Sequence, residues 1–600
     1  MRFRARARLA AALATLAFLE AGAPAAQALK AGEDLLVTAE EGKPGGRVVA
    51  SLRADPKTLN PATAVDLPSK ELIALLSSDL VHINLRTRRT EPGLAKSWKA
   101  SADGRHYTFE LRRGLSFSDG HRFDADDVLF SFKVYLDEKV HSPQRDLLLV
   151  GGKPIQVRKL GPYRVAFDLA TPYATGERLF DSVAILPRHR LEHAYDAGAI
   201  SKAWSPATAP AEIAGLGPFR LKQYTPGERI VLERNPYYFK ADTSGNRLPY
   251  LDEIAFLVVP TEDAEVIRFA SGDLDVLERI SAENYAALLP DQGVRSYRLE
   301  DLGAGFEYDF LFFNLNRLGA NELPEIRRKQ QWFRRDEFRQ AVSLAVDRDA
   351  IVRLVYQGRA TPLWGQVTPG NKPWVDQAVP HPAQSMEKAS ALLRSIGFRR
   401  KPDGTLVDAE GKPVEFSILV NPSNAQRTKI AALVADDLGK IGMRVRVVSL
   451  EFQALMTRVL NSLDYEASIL GLVGGDGPNP EINVWTSNGG THLWAQREIR
   501  PLPPWQGEID RLMQRQTAIL NFRKRKQAYD RVQELIAAHD PVVCLVSPNV
   551  LVGAKASLGG TQPSVMRNYL LWNAEHLFWE PTRATRAPGK PEKPLGHGGA

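Results

Sequence analysis

A glycine-rich stretch late in the chain carries the residues best suited to meet a small molecule. Residues 471–480 read Gly-Leu-Val-Gly-Gly-Asp-Gly-Pro-Asn-Pro, so the backbone can come close to a partner and Asp476 adds one negative charge. Tryptophan rings, which would give flat apolar walls for a ligand, follow at once. The candidate ligand-binding residues are Gly475, Asp476, Trp485, Asn488 and Trp494.

The same residues also have structural explanations. Aspartates in glycine-rich turns often accept hydrogen bonds from loop amides, which is an alternative role for Asp476. Core packing is an equally good explanation of Trp485 and Trp494. The glycine run is not a phosphate loop, because no Lys-Ser/Thr follows it and no helix pattern starts directly after it. Ligand contact and structural roles therefore both stay open.

Other reactive side chains do not form a catalytic pattern. His189 and His193 are four residues apart and could share a helix face, but no H-E-x-x-H pattern or third ligand accompanies them. Cys544 lies in an apolar run, which favours a buried structural thiol over a nucleophile. The chain also has no G-x-S-x-G motif. We therefore expect no catalytic residue, no metal and no cofactor.

A repeating strand and helix pattern leads up to the glycine-rich stretch. Strand-like residues 414–419, 444–448 and 465–470 alternate with an amphipathic helix containing Ile430 and Leu438 and with a helical segment at 452–463. This β-α-β-α-β order predicts a parallel sheet with right-handed crossovers. Ligands of such sheets gather beyond the carboxyl ends of the strands, which is where Asp476 would lie.

An earlier segment, residues 98–132, predicts two tight turns and a helix start. Asp103-Gly104 and Asp119-Gly120 are typical of turns between half-buried strands. Asp124 is placed to cap the following helix, and Asp127 lies three residues further on, where a carboxylate favours the positive end of the helix. The order of these signals is more specific than any one of them.

In this order, the segment resembles the signature of the family 5 solute-binding proteins of ABC importers. The matching features are Trp98, the Ser101-x-Asp103-Gly104 turn, the Tyr107-Thr108-Phe109-x-Leu111-Arg112 strand, the Phe117-x-Asp119-Gly120 turn and the Phe123-x-Ala125-x-Asp127-Val128 helix start. Residues 215–221 and 230–238 resemble the family's Gly-Pro-Tyr/Phe strand and its Leu-x-Arg-Asn-x-x-Tyr-Tyr turn. Residues 77–81 depart from the family's Tyr/Phe-Glu-Gly pattern, which weakens any transfer of ligand contacts there.

The resemblance implies an α/β, two-lobed periplasmic-binding-protein fold of type 2, in the large three-subdomain peptide-binding class. A hinge between the lobes would lie near residues 310–316. The implied organisation is a signal peptide at 1–28; a lobe I core from 29–70, 215–309 and 546–585; an extra lobe I subdomain at 71–214; lobe II at 310–545; and a disordered tail at 586–600. Residues 29–45 are expected to be loosely ordered, and residues 508–539 to form one or two covering helices.

The resemblance also implies a function. Members bind a peptide or similar solute between two lobes and deliver it to an ABC permease in the inner membrane. In peptide-binding relatives, an aspartate that follows the third strand of the β-α-β-α-β unit pairs with the ligand's α-ammonium. Asp476 occupies that position here. A nickel chelate, glutathione, a sugar or an opine is an alternative ligand, since the fold alone does not set the ligand. A secreted hydrolase is the rival outside the binding class.

Composition agrees with export. Four arginines, an apolar run from Leu9 to Leu19 and the Ala26-Gln27-Ala28 site predict a cleaved secretory signal, too short to span a bilayer. Its removal takes 28 of the 600 residues and leaves 572, enough for at least two large lobes, and lowers the formal net charge from +8 to +5. That charge does not argue for nucleic-acid binding. We expect a periplasmic monomer.

Overall fold

A computed structural model gives the fold of residues 34–181, 183–497 and 500–581. The predicted signal peptide at 1–28 and the predicted tail at 586–600 lie outside these residues. The strands are β1 Leu36–Thr38, β2 Arg47–Leu52, β3 Val81–Ile83, β4 Thr90–Pro92, β5 Ala95–Ala100, β6 His106–Leu111, β7 Leu149–Val150, β8 Lys153–Pro154, β9 Gln156–Gly161, β10 Arg164–Asp168, β11 Phe219–Thr225, β12 Arg229–Arg234, β13 Lys240–Asp242, β14 Glu253–Val258, β15 Val276–Leu277, β16 Tyr297–Ala304, β17 Glu307–Phe313, β18 Ala360–Pro362, β19 Arg399–Arg400, β20 Leu406–Val407, β21 Glu415–Val420, β22 Arg444–Ser449, β23 Ala467–Val473, β24 Val542–Lys555, β25 Leu558–Gly559 and β26 Phe578–Trp579. The helices are α1 Leu67–Leu76, α2 Ala125–Leu136, α3 Arg188–Asp196, α4 Glu262–Ser271, α5 Ala282–Leu288, α6 Pro324–Phe333, α7 Asp336–Ala345, α8 Arg348–Val355, α9 Met386–Ser395, α10 Ala425–Lys440, α11 Phe452–Thr457, α12 Ile482–Trp485, α13 Pro504–Gln516 and α14 Phe522–His539.

Two hydrophobic cores divide these elements. One core is built mainly from residues 48–256 with residues 550–577, and the other mainly from residues 269–546. The first core carries two four-stranded sheets, in the orders β5-β6-β10-β9 and β11-β12-β14-β2. The second carries an eight-stranded sheet whose main path is β15-β24-β17-β23-β21-β22. The expected two-lobed α/β fold is confirmed, and the lobes are called lobe I and lobe II in that order.

The predicted β-α-β-α-β unit is confirmed in lobe II. β21 pairs in parallel with β22 on one side and with β23 on the other, and α10 and α11 make the two crossovers. Ile430, Val434 and Leu438 of α10 are fully buried on one helix face, as the 3.6-residue period requires. Because β23 ends at Val473, the loop of residues 474–480 begins at the carboxyl edge of the parallel strands.

The helix cap and the first turn predicted for residues 98–132 are confirmed, whereas the Asp119-Gly120 turn is flanked by an isolated bridge between Ser116 and Arg122 and not by strands. β5 and β6 form an antiparallel hairpin across Gly104, whose φ of +68° suits a residue without a side chain. Asp124 caps α2 through a capping box in which the Asp127 side chain accepts a hydrogen bond from the Asp124 amide. The two expected covering helices at residues 508–539 are present as α13 and α14, which are separated by residues 517–521.

One local expectation differs from the structure, and another stays a prediction. The segment 29–45, expected to be loosely ordered, contains β1, because Leu36–Thr38 pair in parallel with β13, a partner that is distant in sequence. Residues 310–313 of the predicted hinge lie in β17, which pairs with β23 on one side and β24 on the other, and the position of the hinge stays a prediction. The exact lobe boundaries remain predictions.

The long strand β24 connects the two lobes. Its first half pairs with β17 and its second half with β16 and β15. The pairing of β16 with β24 shifts register between Asp301 and Ala304. No helix within the described ranges is both long and apolar enough to span a bilayer.

Candidate functional site

Asp476 lies where lobe II meets the segment of lobe I between residues 71 and 214. Its carboxylate accepts a hydrogen bond from Arg178 Nη1 at 2.8 Å, and Arg88 Nη1 is 3.8 Å away. The Asp476 side chain is 12% exposed and the Arg178 side chain 22% exposed. The pair is therefore a charge-assisted contact between the lobes that is largely shielded from water.

Arg88 holds this contact in place from the lobe I side. Its guanidinium donates to Asn371 Oδ1 at 2.9 Å and to the Gly370 carbonyl, and it lies 4.9 Å from the centre of the Phe306 ring. Arg178 Nη2 in turn donates to the Arg88 carbonyl. Burial lowers the pKa of Arg88, and the neighbouring Asp476 partly offsets the effect.

A second contact between the lobes lies beside the first. Arg525 of α14 donates to Asn479 Oδ1 at 2.8 Å, and its other Nη lies 3.5 Å from the Thr175 hydroxyl of lobe I. The Ala174 amide donates to the Thr517 carbonyl at 2.6 Å. The two lobes thus touch directly at the rim that contains Asp476, and a guest between them would share this boundary.

A chain of alternating charges lies on and beside β17. Asp309, 2% exposed on β17, accepts from Arg427 Nε at 2.8 Å and from the Tyr356 hydroxyl at 2.7 Å. Arg427 also donates to Glu307 at 3.1 Å, and Glu307 pairs with Arg279. Burial raises the pKa of the Asp309 carboxyl, and Arg427 works against that rise.

The ladder geometry explains how Arg427 reaches Asp309. Asp309 lies opposite Gly471 in the pairing of β17 with β23. An added Cβ at Gly471 would be 2.0 Å from Arg427 Nη2, so the guanidinium occupies the space that a side chain would fill. The missing side chain of Gly471 therefore lets Arg427 come close to the backbone, and that of Gly475 does the same for Pro480.

Lobe I contains a cavity of about 470 Å³, which is within the size range of small-molecule sites. α1, the β3–β4 hairpin, β13 and the segment 568–575 contribute to its wall. Its lining includes Tyr238, Phe239 and Trp572, and the carboxylates of Glu71 and Glu278. Burial and the nearby Glu71 charge raise the pKa of Glu278 to about 8. Burial raises the pKa of Glu71 to about 7, although Arg567 acts in the opposite direction.

The five sequence-predicted site residues do not all come together. Gly475 and Asp476 lie at the lobe boundary, where the Gly475 carbonyl accepts from Asn371 at 3.0 Å. Trp485 and Trp494 are each 1% exposed and pack against each other in the core of lobe II with ring centres 5.2 Å apart, so the core-packing explanation is the one the structure shows. Asn488 is exposed on the loop after α12.

The Glu481 side chain holds the loop of residues 474–480 in place. Glu481 accepts from the Gly475 amide at 3.0 Å and from Trp485 Nε1 at 2.8 Å. Glu481, and not Asp476, therefore satisfies this loop amide. The carboxylate of Asp476 is left to face lobe I.

Sequence reasoning missed the charged partners of Asp476 and the carboxylates of the lobe I cavity. Arg88, Arg178 and Glu71 lie in segments where a single charge has no distinguishing pattern. Asp309 did carry a signal, because it interrupts the apolar run from Tyr308 to Phe313, and a buried charge usually has a partner. Among the histidines, His189 bonds Asp119 at 2.8 Å and stacks on His121. The described residues contain no group of three or more side chains suited to hold a metal ion.

Comparison with known proteins decides the family. The model of the bacterial extracellular solute-binding proteins, family 5 (middle), matches residues 89–493, about two thirds of the chain. The chain belongs to this family. As a family 5 solute-binding protein it is a member of a group of binding proteins that act outside the cytoplasm. The match extends from the Asp103-Gly104 turn through the loop that carries Asp476.

Individual relatives resemble this family 5 protein over most of its length. A probable ABC transporter-binding protein of Deinococcus radiodurans is 29% identical over 83% of this chain and 86% of its own. The oligopeptide-binding protein AppA of Bacillus subtilis is 27% identical over 89% of this chain and 92% of its own. The solved structure of that AppA with a nonapeptide superposes with a TM-score of 0.69, at 24% identity over 90% of this chain and all of the other, which supports the shared fold.

Proposed function

We propose that this protein is the solute-binding component of an ABC importer, and that it captures a peptide or similar small solute between its lobes and delivers it to a permease in the inner membrane. The observation that carries the proposal is the placement of Asp476. Its carboxylate lies beyond the carboxyl ends of parallel strands, at the boundary of the two lobes, where Arg178 and Arg88 of lobe I face it. The family and the relatives named above support it.

Capture would follow from a shift between open and closed lobes. A ligand favours the closed form only if it binds that form better than the open one, and contact with both lobes provides that difference. An extended peptide would add main-chain hydrogen bonds, with side chains in loosely fitting pockets. The mature chain would work as a monomer in the periplasm, without cofactor or metal, and would leave the bonds of its guest intact.

Asp476 is the proposed partner of the peptide's α-ammonium. In this scheme the ammonium takes the place of the Arg178 guanidinium on the carboxylate, so one charged donor replaces another and the acid keeps a counter-charge. Removal of one partner from a shielded ion pair is costly, since the other is left uncompensated. Asp476 would therefore matter for ligands with a free amino group and little for those without one.

The test is a pair of titrations. Asp476→Asn should weaken binding of a free-amino peptide by about tenfold or more, a change that corresponds to at least ~1.4 kcal/mol. Binding of the N-acetylated form of the same peptide should already be weak and should change little. Asp436→Asn, an exposed change on α10, is the matched control. Equal loss for both peptide forms, or no loss at all, would remove Asp476 from the proposed role.

A further inference from the structure

We infer that the cavity in lobe I is a recognition site for an organic cation, an ammonium or guanidinium group, held by Glu71 and Glu278 against an aromatic wall. The inference rests on the proposed function only where the cation is the side chain of a captured peptide. The chemistry of the site itself does not depend on that function. The cation would be either a basic side chain of a captured peptide or a free amine or guanidine.

The volume of the cavity and the side chains that line it favour a binding site over a void left by imperfect packing. At about 470 Å³ it is far larger than the voids between well-packed side chains. Trp572 and Tyr238 offer ring surface, and the Trp572 ring also stacks on His82 at 6.2 Å. Aromatic faces combined with carboxylates are the chemistry with which proteins bind alkylammonium and guanidinium groups.

The two carboxylates have little compensation of their own. Glu278 accepts a hydrogen bond from the Leu570 amide at 3.1 Å, and the Leu571 amide also acts to lower its pKa, but no cation in the described part of the chain does so. Among the described residues Glu71 has no hydrogen-bond partner, and Arg567 is the only nearby cation that lowers its pKa. Glu71 and Glu278 lie close enough for the charge of one to disfavour the charge of the other. A bound cation would supply the counter-charge that this pair lacks.

The remaining charges around the cavity do not supply it. Glu575 bonds Lys240 at 2.7 Å, which uses both groups, and burial lowers the pKa of His82 and favours its neutral form. Glu265, which also faces Glu71, is paired with Arg53. The other charged groups in the wall are the carboxylates of Asp79, Glu91 and Asp181 and the exposed Lys70, which is not among the charges that act on the pKa of Glu71 or Glu278. Carboxylates therefore outnumber cations on the lining.

This arrangement links binding to pH. Because both carboxyls have raised pKa values, about 7 for Glu71 and about 8 for Glu278, both are largely protonated at pH 6. A cation binds the ionised form, so its binding should release protons and become tighter as the pH rises from 6 to 8. The ionised fraction of a group with a pKa of 7 rises about tenfold over that range, and that of a group with a pKa of 8 by about fiftyfold.

Calorimetric titration of the full chain with three probes tests the inference. The probes are agmatine, a free organic cation; the dipeptide Ala-Lys; and Ala-norleucine, which has the same length of side chain without the ammonium. We expect Ala-Lys to bind at least tenfold tighter than Ala-norleucine, or agmatine to bind, and in either case the affinity should rise about tenfold or more from pH 6 to pH 8. The first result identifies a peptide side chain as the source and the second a free cation.

Variants separate the cavity from the rest of the protein. Glu71→Gln and Glu278→Gln should each weaken cation binding about tenfold and flatten its pH dependence. Both keep a carbonyl oxygen, so the acceptor for the Leu570 amide survives, and unfolding temperature reports that the fold is intact. Glu410→Gln, on an exposed turn, is the control.

The outcomes also separate this inference from the proposed function. Equal affinity for Ala-Lys and Ala-norleucine, with no binding of agmatine, would overturn the cation site and leave peptide capture standing. Binding of agmatine without binding of either dipeptide would support the cavity and count against capture of dipeptides. Cation binding that survives both Glu→Gln changes would overturn the assignment to Glu71 and Glu278.

Discussion

The contact between Arg178 and Asp476 should hold the lobes together, and Arg178→Ala should open them. The change removes a 2.8 Å charge-assisted bond and the bond from Arg178 to the Arg88 carbonyl. Hydrogen bonds to charged groups contribute about 1.5–3 kcal/mol, and partial exposure of Arg178 reduces the effect, so we take ~2 kcal/mol. That energy shifts the ratio of closed to open molecules by about thirtyfold.

The consequence is measurable as a change in population. A protein that is closed in about 99 of 100 molecules would become closed in about three of four. Single-molecule energy transfer between dyes on cysteines introduced at Asp196 in lobe I and Glu410 in lobe II would report it. Cys544 would not interfere, since burial raises the pKa of its thiol to about 12 and the side chain is 1% exposed.

A matched arginine provides the control for this experiment. Arg190 bonds Asp119 at 2.8 Å entirely within lobe I, so Arg190→Ala should leave the distribution of distances between the lobes unchanged. An unchanged distribution in Arg178→Ala, or the same shift in both variants, would refute the reasoning that this pair links the lobes.

Two further predictions concern buried charge. Gly471→Ala should displace the Arg427 guanidinium and leave Asp309 buried without its partner, which lowers the free energy of unfolding by about 3 kcal/mol. The control is Gly507→Ala in α13, where the added methyl group meets open space and should raise the free energy of unfolding by about 0.5 kcal/mol. Denaturant titration compares the two variants, and equal effects would contradict the contact assigned to Gly471. Burial raises the pKa of Glu278 from 4.5 to about 8, so the stability tied to its protonated form is complete below about pH 4.5 and is lost as the pH rises through about 8. The free energy of unfolding of Glu278→Gln should therefore match that of the parent at pH 4.5 and exceed it by about 4 kcal/mol at pH 9. Parallel pH profiles of the two proteins would exclude the raised pKa.

Local patterns predicted much of the fold. The Asp-Gly turn at residue 103, the Asp124 cap and the alternation of strands and helices from 414 to 470 depend on neighbours in sequence, and each is present in the structure. β1 and the continuous pairing of β17 were not predicted, because both depend on partners that are distant in sequence.

The candidate site was predictable only in part. The position of Asp476 followed from the topology, since it comes directly after a parallel strand. Its partners did not, because Arg178 is 298 residues away and nothing near it in sequence marks it as an interlobe residue. Trp485 and Trp494 were ambiguous for another reason. An aromatic ring beside a binding loop and one inside a core have the same sequence signal, and only burial separates them.

Native mass spectrometry of the protein purified from its own host tests the central claim most directly. We predict that intact small solutes, peptides foremost, accompany the folded protein, leave it unchanged on denaturation, and rebind when added back. Release of chemically altered solute, or a protein that carries nothing and binds no member of a broad peptide and solute library, would contradict the account.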